Sequence, residues 1–225
     1  MANLPSTPSD KRAAVDAFLD KIRTPAAIAP GTRGRLIFAL DATQSRQPTW
    51  DRACQLQAEM FEAAAATAGL DIQLVYYRGL RECSASRWVS DARTLAALME
   101  KIDCRGGYTQ IGRVLAHARA ENARQKVSAL AFIGDAMEET PDDLYAAARE
   151  LGFPVFMFQE LDDPEAAKVF QGIAWRTKGA YCRFNAAAVD ELRNLLRGVA
   201  AYAAGGLRAL SSGNAGAMKL LEQLK

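Results

Sequence analysis

Apolar positions along the chain fall into two repeating patterns. Short continuous runs, "RLIFAL" (35–40), "DIQLVYYRG" (71–79), "VSALAFIGD" (127–135), "FPVFMFQ" (153–159) and "AYCRF" (180–184), predict strands, most of them buried on both faces. Between them lie segments with helical periodicity. Trp50 to Thr67 is rich in Ala, Leu, Glu and Gln and is followed by Gly69, which predicts a helix and its stop. Asp91 to Ile102 places Leu95, Leu98, Met99 and Ile102 on one face. Further helices are expected after the Gly-containing loop "CRGGYTQIG" through Ala120, from Pro141 to Leu151, from Pro164 to Arg176, and from Val189 to Ala204. "ECSASRWV" reads as a short third strand or a hairpin arm.

Strands alternating with helices imply a doubly wound, Rossmann-like α/β fold with a mainly parallel sheet covered on both faces. Three regions are expected. Residues 1–30 hold a helix capped by Ser9 or Asp10, with Val15, Phe18, Leu19 and Ile22 on one face, and the connector "TPAAIAPGTRG". Residues 31–204 form the α/β domain. Residues 205–225 form a tail with a short helix bearing Ala217, Leu220, Leu221 and Leu224, which either packs on the domain or serves a partner.

Composition adds limits. Of 225 residues, 50% are hydrophobic and 24% charged, enough apolar material for one sizeable core. The net charge of +2 gives no reason to expect nucleic acid. The charges are segregated, however: ten Lys/Arg against five Asp/Glu from Arg78 to Lys126, then one Arg against ten Asp/Glu from Asp135 to Glu165. This pattern reads either as solvated faces or as a polarised surface that orients a partner. Cys54, Cys83, Cys104 and Cys182 form no C-x-x-C pair and sit apart from the single histidine, His117, so zinc spacing is absent. Reduced thiols, no charged start leading into an apolar run, and no stretch of membrane-spanning length predict a cytoplasmic protein without a membrane partner. Trp50, Trp88 and Trp175 read as packing residues, with Trp88 beside Arg87 the one candidate for an interface.

The chemistry concentrates at strand ends. The first run ends in Asp41-Ala42-Thr43-Gln44-Ser45, and alternate residues of an extended turn point the same way. Another strand ends in Asp135, and Thr109 lies in a loop before a helix. In open α/β sheets, ligands bind beyond the carboxyl ends of strands. Two carboxylates and three hydroxyls suit a hard cation such as Mg²⁺ or Mn²⁺. The same groups also serve as helix caps and turn formers.

D-x-T-x-S after the first strand, Thr109 in a Gly-containing loop and Asp135 after a later strand together resemble a von Willebrand factor A (VWA) domain with a metal-ion-dependent adhesion site (MIDAS). "IAWRTKGAYCRFNAAAVDELRNLL" resembles that family's closing segment, with Ala174, Thr177, Gly179, Tyr181 and Leu192 in the matching places. The resemblance covers roughly Arg35 to Ala204 and implies the VWA fold. It implies a Mg²⁺ or Mn²⁺ ion at Asp41, Thr43, Ser45, Thr109 and Asp135, whose shell a partner protein completes with an Asp or Glu. It implies a protein-binding module of bacterial type rather than an enzyme, with Val189 to Ala204 as an element that shifts on binding. The sequence departs from the family at Thr43, where Ser is usual, and at Gln44, where Gly is frequent. Arg46 and Arg105 add positive charge beside the expected ion.

Two other readings stand beside this one. The chain is a VWA-fold scaffold without a working metal site, or it is a Mg²⁺-dependent phosphohydrolase. "IGDAMEE" resembles the Gly-Asp motif of haloacid-dehalogenase-like phosphatases, with Asp41 as nucleophile and Lys126 as phosphate partner. That chemistry needs a second acid two residues after the nucleophile, where this chain has Thr43.

Overall fold

The computed structural model describes residues 33–65, 69–185, 189–211 and 215–224. The helix expected within residues 1–30, and the last residues of the helix expected to end at Thr67, lie outside the described residues.

The core is a six-stranded sheet. Its strands are β1 (Gly34–Asp41), β2 (Leu70–Arg78), β3 (Glu82–Ala85), β4 (Ala129–Gly134), β5 (Val155–Glu160) and β6 (Ala180–Phe184), in the order β3-β2-β1-β4-β5-β6. All neighbours pair in parallel except β2 and β3. β3 is thus a hairpin arm, reached by a tight turn at Gly79, whose φ of 60° suits glycine. All residues of β1, β4 and β5 are buried, which is why these strands read as unbroken apolar runs.

The helices are α1 (Gln47–Ala65), α2 (Ala92–Met99), α3 (Ile111–Arg124), α4 (Pro141–Arg149), α5 (Pro164–Arg176), α6 (Val189–Ser211) and α7 (Ala215–Gln223). Local signals start several of them. Asp91 caps α2 by accepting from Thr94 N, and Asp163 caps α5 by accepting from Glu165 N and Ala166 N. Prolines open α4 and α5, and Asp142 and Asp143 sit in the first turn of α4. One apolar layer joins α1, α2, α6 and α7 to one face of the sheet, and a second joins α3, α4 and α5 to the other.

The family-like closing segment has a clear structural use. Thr177 Oγ1 bonds the Ile173 carbonyl at 3.0 Å and accepts from Val155 N at 3.1 Å, tying the end of α5 to the start of β5. Helix α6 runs on past Ala204 to Ser211, broken at Gly206 (φ 67°), and the tail helix α7 buries Ala217 and Leu220 in the core. Of the two uses expected for the tail, packing on the domain is the one seen.

Trp50 is buried, as expected. Trp88 is held inside the protein's own packing. Arg35 stacks on its ring at 3.8 Å, and its Nε1 donates to Glu121 Oε2 at 2.8 Å. Trp175, expected in packing, is 77% exposed at the end of α5. Many basic residues of the 78–126 segment are neutralised within the chain. Arg78 pairs with Glu82 and Asp103, Arg119 with Glu150, and Arg124 with Glu121.

Candidate metal centre

Strands β1 and β4 lie side by side, and the chain leaves them in opposite directions across the sheet: β1 is followed by β2 on one side, and β4 by β5 on the other. The crevice beyond their carboxyl ends is therefore the topological switch point of the sheet, where α/β folds bind ligands. Asp41 ends β1, and Asp135 directly follows β4. A cavity of about 200 Å³ opens there, and Asp41, Thr43, Ser45, Thr109 and Asp135 all line it. The structure thus brings together every residue of the expected set.

The local geometry shows how each group is held. Asp41 Oδ1 accepts from Thr43 N at 2.7 Å, and its Oδ2 accepts from the Tyr77 hydroxyl at 3.0 Å. Residues Gln44–Arg46 form a short 3₁₀ turn. Thr43 stands at its N-cap, but its side chain makes no capping bond. The Thr43 and Ser45 hydroxyls instead face one another at 3.3 Å, and Ser45 Oγ donates to Asp135 Oδ2 at 3.4 Å. Across the cavity, Glu138 N donates to Thr109 Oγ1 at 3.0 Å while Glu138 Oε2 accepts from Thr109 N at 2.8 Å. The pair of bonds fixes the Thr109 loop against the segment after β4.

Burial raises the pKa of Asp41. The bonds from Thr43 and Tyr77 lower it, and the Asp135 carboxylate raises it further. Burial also pushes the Tyr77 hydroxyl well up, reinforced by the neighbouring Asp41, so it stays a hydrogen-bond donor.

The donor chemistry fits a hard divalent cation. Oxygens around Mg²⁺ sit at about 2.0–2.1 Å in an octahedron, so neighbouring ligands are spaced by about 3 Å. The hydroxyl–hydroxyl separation of 3.3 Å and the hydroxyl–carboxylate separation of 3.4 Å are close to such edges. Among the described residues no group of three His, Cys, Asp or Glu gathers as a metal cluster. The fit therefore depends on hydroxyls alongside two carboxylates, an all-oxygen donor set of the kind that suits hard cations.

The two arginines of concern behave differently. The Arg105 guanidinium turns to Asp103, with Nε at 2.8 Å from Oδ2, and lies 58% exposed. The Arg46 side chain points inward and is 2% exposed. Its Nη1 contacts Glu160 Oε2 and lies 3.8 Å from Asp135 Oδ2.

Sequence reasoning used the loop that contains Gly106 and Gly107 without naming them as site residues, and it missed Tyr77 and Glu138, of which Glu138 carried a signal as an acid three residues beyond Asp135. Its neighbour Glu139 has a separate task and accepts from Ile111 N and Gly112 N at the start of α3. Lys126 precedes β4, at the end of the sheet opposite Asp41, and cannot serve as a phosphate partner to it. His117 is half-buried on α3, beside Gln73 Oε1 at 2.9 Å, well away from any ligand cluster. The four cysteines are free, and burial holds the Cys54, Cys104 and Cys182 thiols up at about 11.

No protein-family model matches the sequence, and no curated protein matches it. Solved structures do match the fold. The VWA domain of SpRpn10 superposes with a TM-score of 0.56 at 10% identity, over 72% of this chain and 95% of that one. A variant of the minor pilin PilB from Streptococcus sanguinis matches with a TM-score of 0.60 at 10% identity, over 82% of this chain and 64% of that one. Proximal thread matrix protein 1 from the mussel byssus, with a zinc-occupied MIDAS motif, matches with a TM-score of 0.54 at 14% identity, over 88% and 52%. The chain thus spans nearly all of the first structure and less than two thirds of the other two. It has a VWA-type, Rossmann-like α/β fold.

Proposed function

We propose that this protein is a metal-dependent protein-interaction module. Asp41, Thr43, Ser45, Thr109 and Asp135 would hold Mg²⁺ or Mn²⁺, and the ion would take an Asp or Glu carboxylate from a partner protein. The observation that carries this reading is the convergence of all five oxygen donors on one cavity at the switch point of the sheet. The zinc-occupied MIDAS of the mussel protein supports it by analogy of fold.

A bound cation supplies a coordination position for an external carboxylate. The chain's own groups do the rest. Tyr77 and the Thr43 amide orient Asp41, and the Glu138–Thr109 bonds hold the opposite wall. Tyr108, 60% exposed and next to Thr109, offers an apolar contact at the rim. Glu138 is exposed at the same rim. Together with Asp41 and Asp135 it would repel an acidic partner in the absence of an ion, so attachment is expected to depend steeply on metal.

One observation favours a second reading, a VWA scaffold without metal. The buried Arg46 guanidinium, 3.8 Å from Asp135, already supplies positive charge beneath the cavity. Calorimetric titration of Mg²⁺ and Mn²⁺ into metal-stripped protein separates the two. Binding that is lost in Asp41→Ala and Asp135→Ala, with the fold retained, supports the metal reading. Heat that persists in both variants, or no binding even with an acidic peptide present, favours the scaffold.

A further inference from the structure

We infer that Arg46 is a fixed counter-charge that holds down the affinity of this cavity for a divalent cation, leaving a weak site that a partner carboxylate completes. The inference rests on the cation reading above and names how that site is regulated.

Arg46 follows the D-x-T-x-S run and is the last residue of its 3₁₀ turn. The turn carries the side chain inward, where it is 2% exposed. A guanidinium keeps its charge under all ordinary conditions, so this positive charge is permanent. It is shared between two carboxylates: Nη1 contacts Glu160 Oε2, and lies 3.8 Å from Asp135 Oδ2. Glu160, at the end of β5, also accepts from the Thr49 hydroxyl. Among the described residues, Asp135 is therefore the one carboxylate that faces both the cavity and Arg46.

A purely architectural role explains this arrangement poorly. Arg46 Nε and Nη2 are buried and find no hydrogen-bond partner among the described residues, so two of the three nitrogens pay desolvation without a bond. A buried ion pair is commonly matched in stability by apolar residues of similar volume. What apolar residues would not supply is positive charge beside Asp135. Sites that bind hard cations tightly accumulate carboxylate charge. Here Asp41 and Asp135 line the cavity wall with Glu138 at its rim, and Arg46 offsets part of that charge from below. Repulsion between a divalent ion and a guanidinium several ångströms away, at an effective dielectric near that of bulk water (about 80) in this solvent-open cavity, corresponds to about tenfold in affinity.

The test measures Mn²⁺ binding to the metal-stripped full chain by calorimetry and by loss of the free-ion electron paramagnetic resonance signal. Arg46→Met removes the charge. Arg46→Met combined with Glu160→Gln removes the pair together and carries the test if the single variant fails to fold. Arg46→Lys keeps the charge. The expected result is binding about tenfold tighter in Arg46→Met, at least about threefold tighter in the double variant, and near native in Arg46→Lys. A gain is diagnostic, because a merely structural defect weakens a site. Native binding with no gain in a folded charge-removed variant overturns the role of Arg46 and leaves the cation reading intact. No binding in any form overturns both. Binding that appears only when Arg46 is removed supports the inference directly.

Discussion

Tyr77 and Asp41 are register partners on adjacent parallel strands, and the Tyr77 hydroxyl donates to Asp41 Oδ2 at 3.0 Å. The phenol ring is fully buried and stacks on Phe132 at 6.2 Å, so the hydroxyl is delivered by a rigid part of the core. With Thr43 N on the other oxygen, the carboxylate has little freedom to rotate.

Tyr77→Phe keeps the ring and removes only that donor. Stability should fall by about 1–2 kcal/mol, since a buried carboxylate oxygen loses its partner. Mn²⁺ affinity should fall several-fold as Asp41 becomes free to turn. Urea unfolding and Mn²⁺ titration read the two effects. An unchanged affinity in the folded variant would mean that the hydroxyl does not orient Asp41.

The two loop glycines make a matched pair. A Cβ at Gly107 would overlap the carbonyl oxygen of Gly79, whereas one at Gly106 meets nothing. Both residues line the cavity. Gly107→Ala should displace the Thr109 loop and weaken Mn²⁺ binding by about tenfold or more, while Gly106→Ala binds as the native protein does. Equal behaviour of the two variants would remove the Thr109 loop from the site.

How much of this was legible in the sequence depends on what each feature needs. The central strands showed themselves because both faces are buried, so β1, β4 and β5 are apolar at every position that matters. Asp135 was found because it follows a strand end, and Thr109 because it sits in a Gly-containing loop just before a helix. Tyr77 was not, because its role exists only through pairing of β2 with β1. Arg46 was visible as a nearby charge, but its inward course follows from the 3₁₀ turn, which no periodicity announces. The basic and acidic blocks suggested a polarised surface, yet several of the arginines are spent on partners within the chain, such as Arg119 on Glu150. Trp88 packs as its primary reading expected, with Arg35 stacked on it, whereas Trp175 does not, because nothing in one sequence reveals which side of a helix end is left open.

His117 predicts a pH dependence. Burial holds its pKa below the usual value, with Glu121 raising it and Arg124 lowering it. The folded protein therefore favours the neutral ring, and the unfolded chain takes up the proton first as pH falls. This contribution to stability is complete above about pH 6.5 and is lost as pH falls through the folded-state value. His117→Gln should flatten that part of the stability–pH curve, read from urea midpoints between about pH 7.5 and pH 5. A curve of unchanged slope would assign the dependence to other groups.

At the opposite edge of the molecule, Gln223 treats β6 as a neighbouring strand would. Its Oε1 accepts from Tyr181 N and its Nε2 donates to Tyr181 O, both at 2.8 Å. β6 is an edge strand, and these are backbone groups that another chain would otherwise pair with. Exposed Trp175 and half-buried Tyr181 line an open cavity of about 430 Å³ beside them. Gln223→Ala should loosen the docking of α7, lower the thermal midpoint by a few degrees, and produce concentration-dependent association in sedimentation or light scattering. Gln223→Glu keeps an acceptor for Tyr181 N but lacks the donor, and its charge opposes edge pairing, so it should lose stability without associating. If Gln223→Ala associates no more than the native protein and melts as it does, the edge is guarded by α7 as a whole and the carboxamide is incidental to it.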